Sequence, residues 1–219
     1  MYNAEQMNYQ IKFSNQELKD LFIAVGALTL MFTLMNINIF NLFLYFTLDN
    51  IVIFLFVIFE CFVGAFTGFF LHELGHKFTA QKFGCWAEFR VNYSGLLLGL
   101  LFSLSGFFIF FVPGAVYIKG DIDLEKNGKI SLMGPLTNLI IGGLSFGVYW
   151  LIRIFNLTYY FLFLYDLTYF VSTINISLAL FNLIPFGPLD GKKIFNWNRS
   201  LLIFLLIGSI VLMILIYIF

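Results

Sequence analysis

Six stretches of this chain are long and apolar enough to be candidate membrane crossings. A spanning helix needs roughly 20 mostly apolar residues, and such windows fall near 20–46, 51–71, 96–118, 131–152, 159–189 and 201–219. The bilayer core holds no water to satisfy exposed backbone groups, so apolar windows of this length must form helices. The chain therefore reads as an all-α polytopic membrane protein, a bundle of about five to six transmembrane helices. Composition agrees: 61% of the 219 residues are hydrophobic and 11% charged, against about 25% charged in a soluble domain. Twelve Lys and Arg balance twelve Asp and Glu, which leaves no basic face for nucleic acid and excludes that class of partner. Cys61 and Cys85 are too few for a disulfide framework or a thiolate metal site. The start of the chain mixes acids and bases without a short apolar core or small-residue cleavage site, so no removable signal peptide is expected.

Polar punctuation separates the windows, and no internal repeat or linker divides them, so 1–219 reads as one integral-membrane domain. Gly134-Pro135 and Pro185-Phe186-Gly187-Pro188 predict helix interruptions or ends, because proline lacks the amide donor and disfavours helix in the residue before it. The basic residues supply orientation. With the amino terminus in the cytoplasm and five full spans, eleven of the twelve basic residues are cytoplasmic and only Arg153 is outside. That scheme makes the 96–118 window a re-entrant hairpin, a membrane-apposed loop or short strands, which Gly95, Gly99, Gly106, Pro113 and Gly114 favour. A sixth crossing there would put His72 and Asp190 on opposite faces.

His72-Glu73-Leu74-Gly75-His76 closes the second window. The i, i+4 spacing sets both imidazoles on one helix face with a carboxylate beside them, a pattern that can bind zinc and activate water. A catalytic zinc site takes three protein ligands, an open position and a nearby general base. These are the only two histidines in the chain, and ionisable groups at membrane depth are costly enough to mark function. The alternative is a pair of histidines held by core hydrogen bonds at a helix end. The third ligand must come from elsewhere, and Asp190 is the best candidate: an acid ending an apolar helix on the side of His76. Asp190-Gly191 also reads as an ordinary turn pair. Asn138 and Asn182, polar residues inside apolar helices, either donate to an oxyanion or an extended substrate, or bind neighbouring helices. Glu60 lies about 18 Å along a helix from His72, too far to share its metal, and is expected to make a buried polar contact. Asp166 is expected at the interface, Cys85 as a small hydrophobe, and Gly142, Gly143 and Gly147 at close helix packing.

The chain resembles the site-2 protease family of intramembrane zinc metalloproteases. The resemblance rests on His72 to His76, on Gly134-Pro135-Leu136-Thr137-Asn138, and on Asn182 through Asp190-Gly191, in that order, and covers roughly residues 51–195. It implies a three-helix catalytic core, one Zn2+ per chain held by His72, His76 and Asp190, and Glu73 as catalytic acid and base. It also implies a transmembrane protein or peptide as substrate, cut near the cytosolic side of the cell membrane. The 96–118 segment is longer and more apolar than the strands that usually follow the zinc motif, and no regulatory soluble domain is expected. A substrate must be locally extended to expose its carbonyls, and the strand-like stretches 87–93 or 115–119 could pair with it by edge addition.

The reaction expected is therefore hydrolysis of peptide bonds in membrane-spanning substrates. The alternative is a non-proteolytic metal-binding membrane protein or transporter using the same ligands. Glu73 separates the two, since a transporter needs no general base beside its ligands and carries several polar groups along a path.

Overall fold

The computed structural model describes residues 12–37, 50–104 and 113–219. Helix α1 (Asn15–Ile37) starts where Ser14 caps it, its hydroxyl oxygen accepting from the Glu17 N–H at 3.0 Å. The remainder of the 20–46 window lies outside the described residues. Helix α2 (Ile51–Ala65), a π-helical turn (Phe66–Phe70) and α3 (Leu71–Lys82) form one rod of 32 residues. At 1.5 Å per residue it is about 48 Å long, well beyond the roughly 30 Å of hydrocarbon. The rod therefore carries the His72–His76 motif at its polar end while its apolar length crosses the bilayer.

After α3 the chain forms strand β1 (Trp86–Val91), helix α4 (Tyr93–Leu104) and strand β2 (Gly114–Lys119). The strands pair antiparallel, from Trp86 opposite Lys119 to Val91 opposite Gly114, and the Asn92 N–H donates to the Pro113 carbonyl at 2.8 Å. The segment between residues 92 and 113 thus leaves and returns at one point. Its helix α4 measures about 18 Å, too short to cross. Five helices among the described residues are long and apolar enough to span: α1, the rod, α5 (Leu124–Ile154), α6 (Leu162–Asn182) and α8 (Arg199–Ile218). The chain is a mostly helical, multi-pass membrane protein with one small sheet.

The two edges of that sheet differ. On β1 three of the groups that point away from β2 are already bonded: the Ala87 carbonyl to Lys77, the Phe89 N–H to Glu17 and the Val91 N–H to Asp20. Because residues opposite each other in an antiparallel pair point their backbone groups the same way relative to the ladder, the partners Ile118, Val116 and Gly114 turn theirs outward on β2.

Asp123 caps α5, accepting from the Lys126 N–H at 2.7 Å. Pro135 lies inside this helix rather than ending it, contrary to the expectation from Gly134-Pro135. Proline removes one backbone hydrogen bond, but tight packing holds both flanks: a Cβ at Gly75 of α3 would come within 2.9 Å of the Met133 carbonyl, and one at Gly142 within 2.7 Å of Ile176 on α6. Gly143 and Gly147, also expected to be close-packed, have nothing within 4 Å. Helix α6 does stop before Pro185, capped at Leu183, so the 159–189 window shortens at both ends. A short α7 (Asp190–Trp197) follows, then α8, capped by Asn198. The Tyr149 hydroxyl, near the end of α5, donates to the Phe219 carbonyl at 3.0 Å. The C-terminal ends of α5 and α8 therefore share one end of the bundle, as five spans require.

Candidate active site

His72 and His76 project from α3 toward α5 and the start of α7. Their Nε2 atoms lie 3.0 Å apart, and Asp190 Oδ2 lies 3.4 Å from the first and 3.0 Å from the second. All three residues are buried. The other ring nitrogens are spoken for. His76 Nδ1 meets the Ile130 carbonyl at 2.8 Å, so it must donate. His72 Nδ1 meets Asn138 Oδ1 at 3.1 Å, while the Asn138 amide nitrogen donates to the Gly68 carbonyl at 2.9 Å. That second bond fixes the amide orientation, leaving Oδ1 as acceptor and His72 Nδ1 as donor. Neutral imidazoles held this way turn both Nε2 lone pairs inward. Two nitrogen lone pairs and a carboxylate oxygen then converge with no donor among them, an arrangement that repels itself unless a cation occupies the centre.

The spacing fits zinc. A tetrahedron with bonds of about 2.0–2.1 Å has edges of about 3.4 Å, and the donor atoms here are 3.0–3.4 Å apart. Lys193 stands 3.6 Å from Asp190 Oδ1, which leaves Oδ2 for the metal. Burial by itself raises the Asp190 carboxyl, and without a metal it falls below the usual carboxylate range only where the imidazoles of His76 and His72 carry the positive charge that a cation would otherwise supply.

Gly134 makes this convergence possible. A Cβ there would lie 2.4 Å from His76 Nε2 and 2.5 Å from His72 Nε2, so the backbone of α5 forms one wall of the site. A cleft of about 140 Å3 opens on the other side. Glu73, Val116, Ile118 and Asn182 line it. A carboxylate, three atoms able to ligate a metal and the outward edge of a strand thus face one small cavity.

The sequence-derived residues are distributed unevenly around this centre. His72, Glu73, His76 and Asp190 come together, and Asn182 lines the cleft, its amide also donating to Leu178. Asn138 is fully buried and occupied by His72 and Gly68, behind the metal ligands rather than in the cleft. Glu60 makes no hydrogen bond through its buried Oε1 among the described residues, unlike the polar contact expected of it. Asp166 is exposed and Cys85 is buried beside Ala80, Ala87 and Ile130. Two contributors were not foreseen. The Ile130 carbonyl is backbone and has no sequence signature. The Gly68 carbonyl sits in the π turn, a feature that frequently marks functional sites, and no residue pattern announces it.

Comparison with known proteins accords with this geometry. Over 188 residues, 85% of this chain and 87% of the relative, the sequence is 37% identical to "Putative zinc metalloprotease MJ0611" of Methanocaldococcus jannaschii. The chain belongs to this zinc metalloprotease family. A second relative from the same organism, "Zinc metalloprotease MJ0392", is 33% identical over 133 residues, 61% of this chain and 32% of that longer protein. No protein-family model and no solved structure matches the chain. As a zinc metalloprotease homologue it takes Zn2+ as its cofactor, and the His72, His76 and Asp190 cluster is the group of described residues able to hold it.

Proposed function

We propose that this protein is an intramembrane zinc metalloendopeptidase of the site-2 protease type, hydrolysing peptide bonds of membrane-spanning proteins. The observation that carries the reading is the convergence of His72, His76, Asp190 and Glu73 on one buried cleft at the end of a membrane-crossing rod. In this reading the whole chain is one membrane domain. Its catalytic core, about residues 51–195, is the rod, α5 and α6 with its α7 extension. The protein lies in the cell membrane with its site toward the cytoplasm, supported by eleven of twelve basic residues falling on the side of the sheet and α7.

His72, His76 and Asp190 hold the zinc, and Asn138 orients His72 by accepting from its Nδ1. When bound, zinc supplies Lewis acidity toward the scissile carbonyl oxygen and toward water. Glu73 takes the proton from a water as that water attacks the carbonyl carbon, then gives it to the amine nitrogen as the C–N bond breaks. Asn182 is set to contact the substrate or its developing oxyanion. A helical substrate hides its carbonyls, so the segment cut must be extended. Of the two strands, β2 is the one to receive it, because it lines the cleft while three outward groups of β1 are bonded to Glu17, Asp20 and Lys77.

The test is cleavage of a panel of labelled single-span peptides by the detergent-purified protein, with products mapped by mass. Cuts inside or at the edge of the apolar span are expected. Cuts only in soluble flanks, or zinc-loaded protein that leaves every peptide intact, would overturn the reading in favour of a metal-binding membrane protein.

A further inference from the structure

Lys77 immediately follows the second histidine, yet it is 1% exposed. Its ammonium donates to both carboxylate oxygens of Glu17, at 2.7 and 2.6 Å, and to the Ala87 carbonyl at 3.1 Å. It also lies 4.3 Å from the centre of the Phe13 ring. All three of its donors are used. Glu17, 0% exposed, is equally committed, since it also accepts the Phe89 N–H at 3.0 Å. A buried ion pair is a weak source of stability, because desolvating two charges offsets most of their attraction and an apolar pair of similar size often does as well. What it supplies instead is direction, since each of these bonds fixes an angle as well as a distance.

The bonds tie the sheet to the ligand-bearing helix. From Lys77 on α3 they reach Glu17 on α1 and Ala87 on β1, and Glu17 holds Phe89 of β1, whose ladder partner β2 sets Val116 beside Glu73 in the cleft, one turn before Lys77. The helix bearing the ligands and base is thereby tied to the strand edge that lines the cleft.

We propose that Glu17 and Lys77 are positioning residues that fix the β2 edge relative to Glu73 and so set where an extended substrate lies against the base. This rests on the proteolytic reading above for its catalytic consequence, though not for its structural one. Neither residue touches the metal ligand atoms, so zinc content is expected to be independent of the pair.

The test replaces both charges at once, Glu17→Leu with Lys77→Met, so that no lone charge is left buried, and includes Glu17→Gln, which keeps one amide oxygen for Lys77 and Phe89 to share. For the double variant, zinc content and thermal midpoint are expected to stay near wild type. KM for a cleaved peptide rises roughly ten- to a hundredfold, in line with the cost of misplacement by about 1 Å, and cuts scatter over neighbouring bonds. Glu17→Gln moves KM the same way by a smaller factor, which keeps the test valid should the double variant fail to fold. Hydrogen exchange supplies a readout free of activity: the Ala115 and Tyr117 amides, which face β1 in the ladder and which neither substituted side chain touches, exchange faster in the double variant. Wild-type KM with an unshifted cut site, or unchanged exchange at these two amides, would overturn the proposal. If the wild type cuts no peptide, the proteolytic reading fails while the exchange comparison still decides the positioning role.

Discussion

Replacing Gly134 with alanine probes the metal centre without touching any ligand. The added Cβ would lie 2.4 Å from His76 Nε2, 2.5 Å from His72 Nε2 and 2.6 Å from His72 Cε1, where ordinary contact begins near 3.4 Å. One or both rings, or the α5 backbone, must therefore retreat by about 1 Å. Zinc sites tolerate about 0.2 Å of deviation in their bond lengths, so a displacement of this size removes at least one good ligand bond. The His76 ring is further restrained through Nδ1 by the Ile130 carbonyl, itself on α5. Zinc affinity is expected to fall at least a hundredfold, about 2.8 kcal/mol at 1.4 kcal/mol per tenfold. Helix propensity acts the other way, since alanine in a helix interior is favoured over glycine by up to about 1 kcal/mol. The assay is zinc content after purification, followed by competition with a chelator of known affinity. Gly143→Ala, on the same helix with nothing within 4 Å of its Cβ, is the control and should bind zinc as the wild type does. Wild-type affinity in Gly134→Ala would refute the claim that the Nε2 atoms converge beside this backbone.

Asn138→Leu should lower zinc affinity about 10- to 100-fold and depress the thermal midpoint, because the Gly68 carbonyl loses its partner at a cost of about 1–3 kcal/mol; chelator competition and calorimetry read the two effects. Ile118→Pro removes an outward N–H from β2 and leaves the ladder bonds to β1 in place, so peptide cleavage should fall at least tenfold with zinc content unchanged, measured side by side.

Much of the centre could be read from residue order because its chemistry is carried by rare side chains. Two histidines four apart around a glutamate leave few alternatives in a chain with no third histidine, and the charge count decided which end of the bundle Asp190 had to join. The same count favoured five spans over six, and five helices among the described residues are long and apolar enough to cross, with Asn92 and Pro113 meeting beside the sheet. The signal failed where backbone supplies the function. The Ile130 and Gly68 carbonyls that set the imidazole tautomers carry no side-chain mark, and the role of Asn138 behind His72 depends on the π turn that presents Gly68. Proline rules also misled at Pro135, since local disfavour was outweighed by packing against α3 and α6. Strand-like stretches were visible on both sides of α4, but the bonding of Glu17 and Asp20 to β1, which leaves β2 as the open edge, spans more than seventy residues of separation.

The most direct measurement pairs zinc content with cleavage of labelled single-span peptides in wild type, Glu73→Gln and Asp190→Ala. The wild type should hold about one zinc and cut; Glu73→Gln should keep its zinc and lose activity by about 10²- to 10⁴-fold; Asp190→Ala should lose both. Cleavage by Glu73→Gln at the wild-type rate, or full zinc content in Asp190→Ala, would contradict the account.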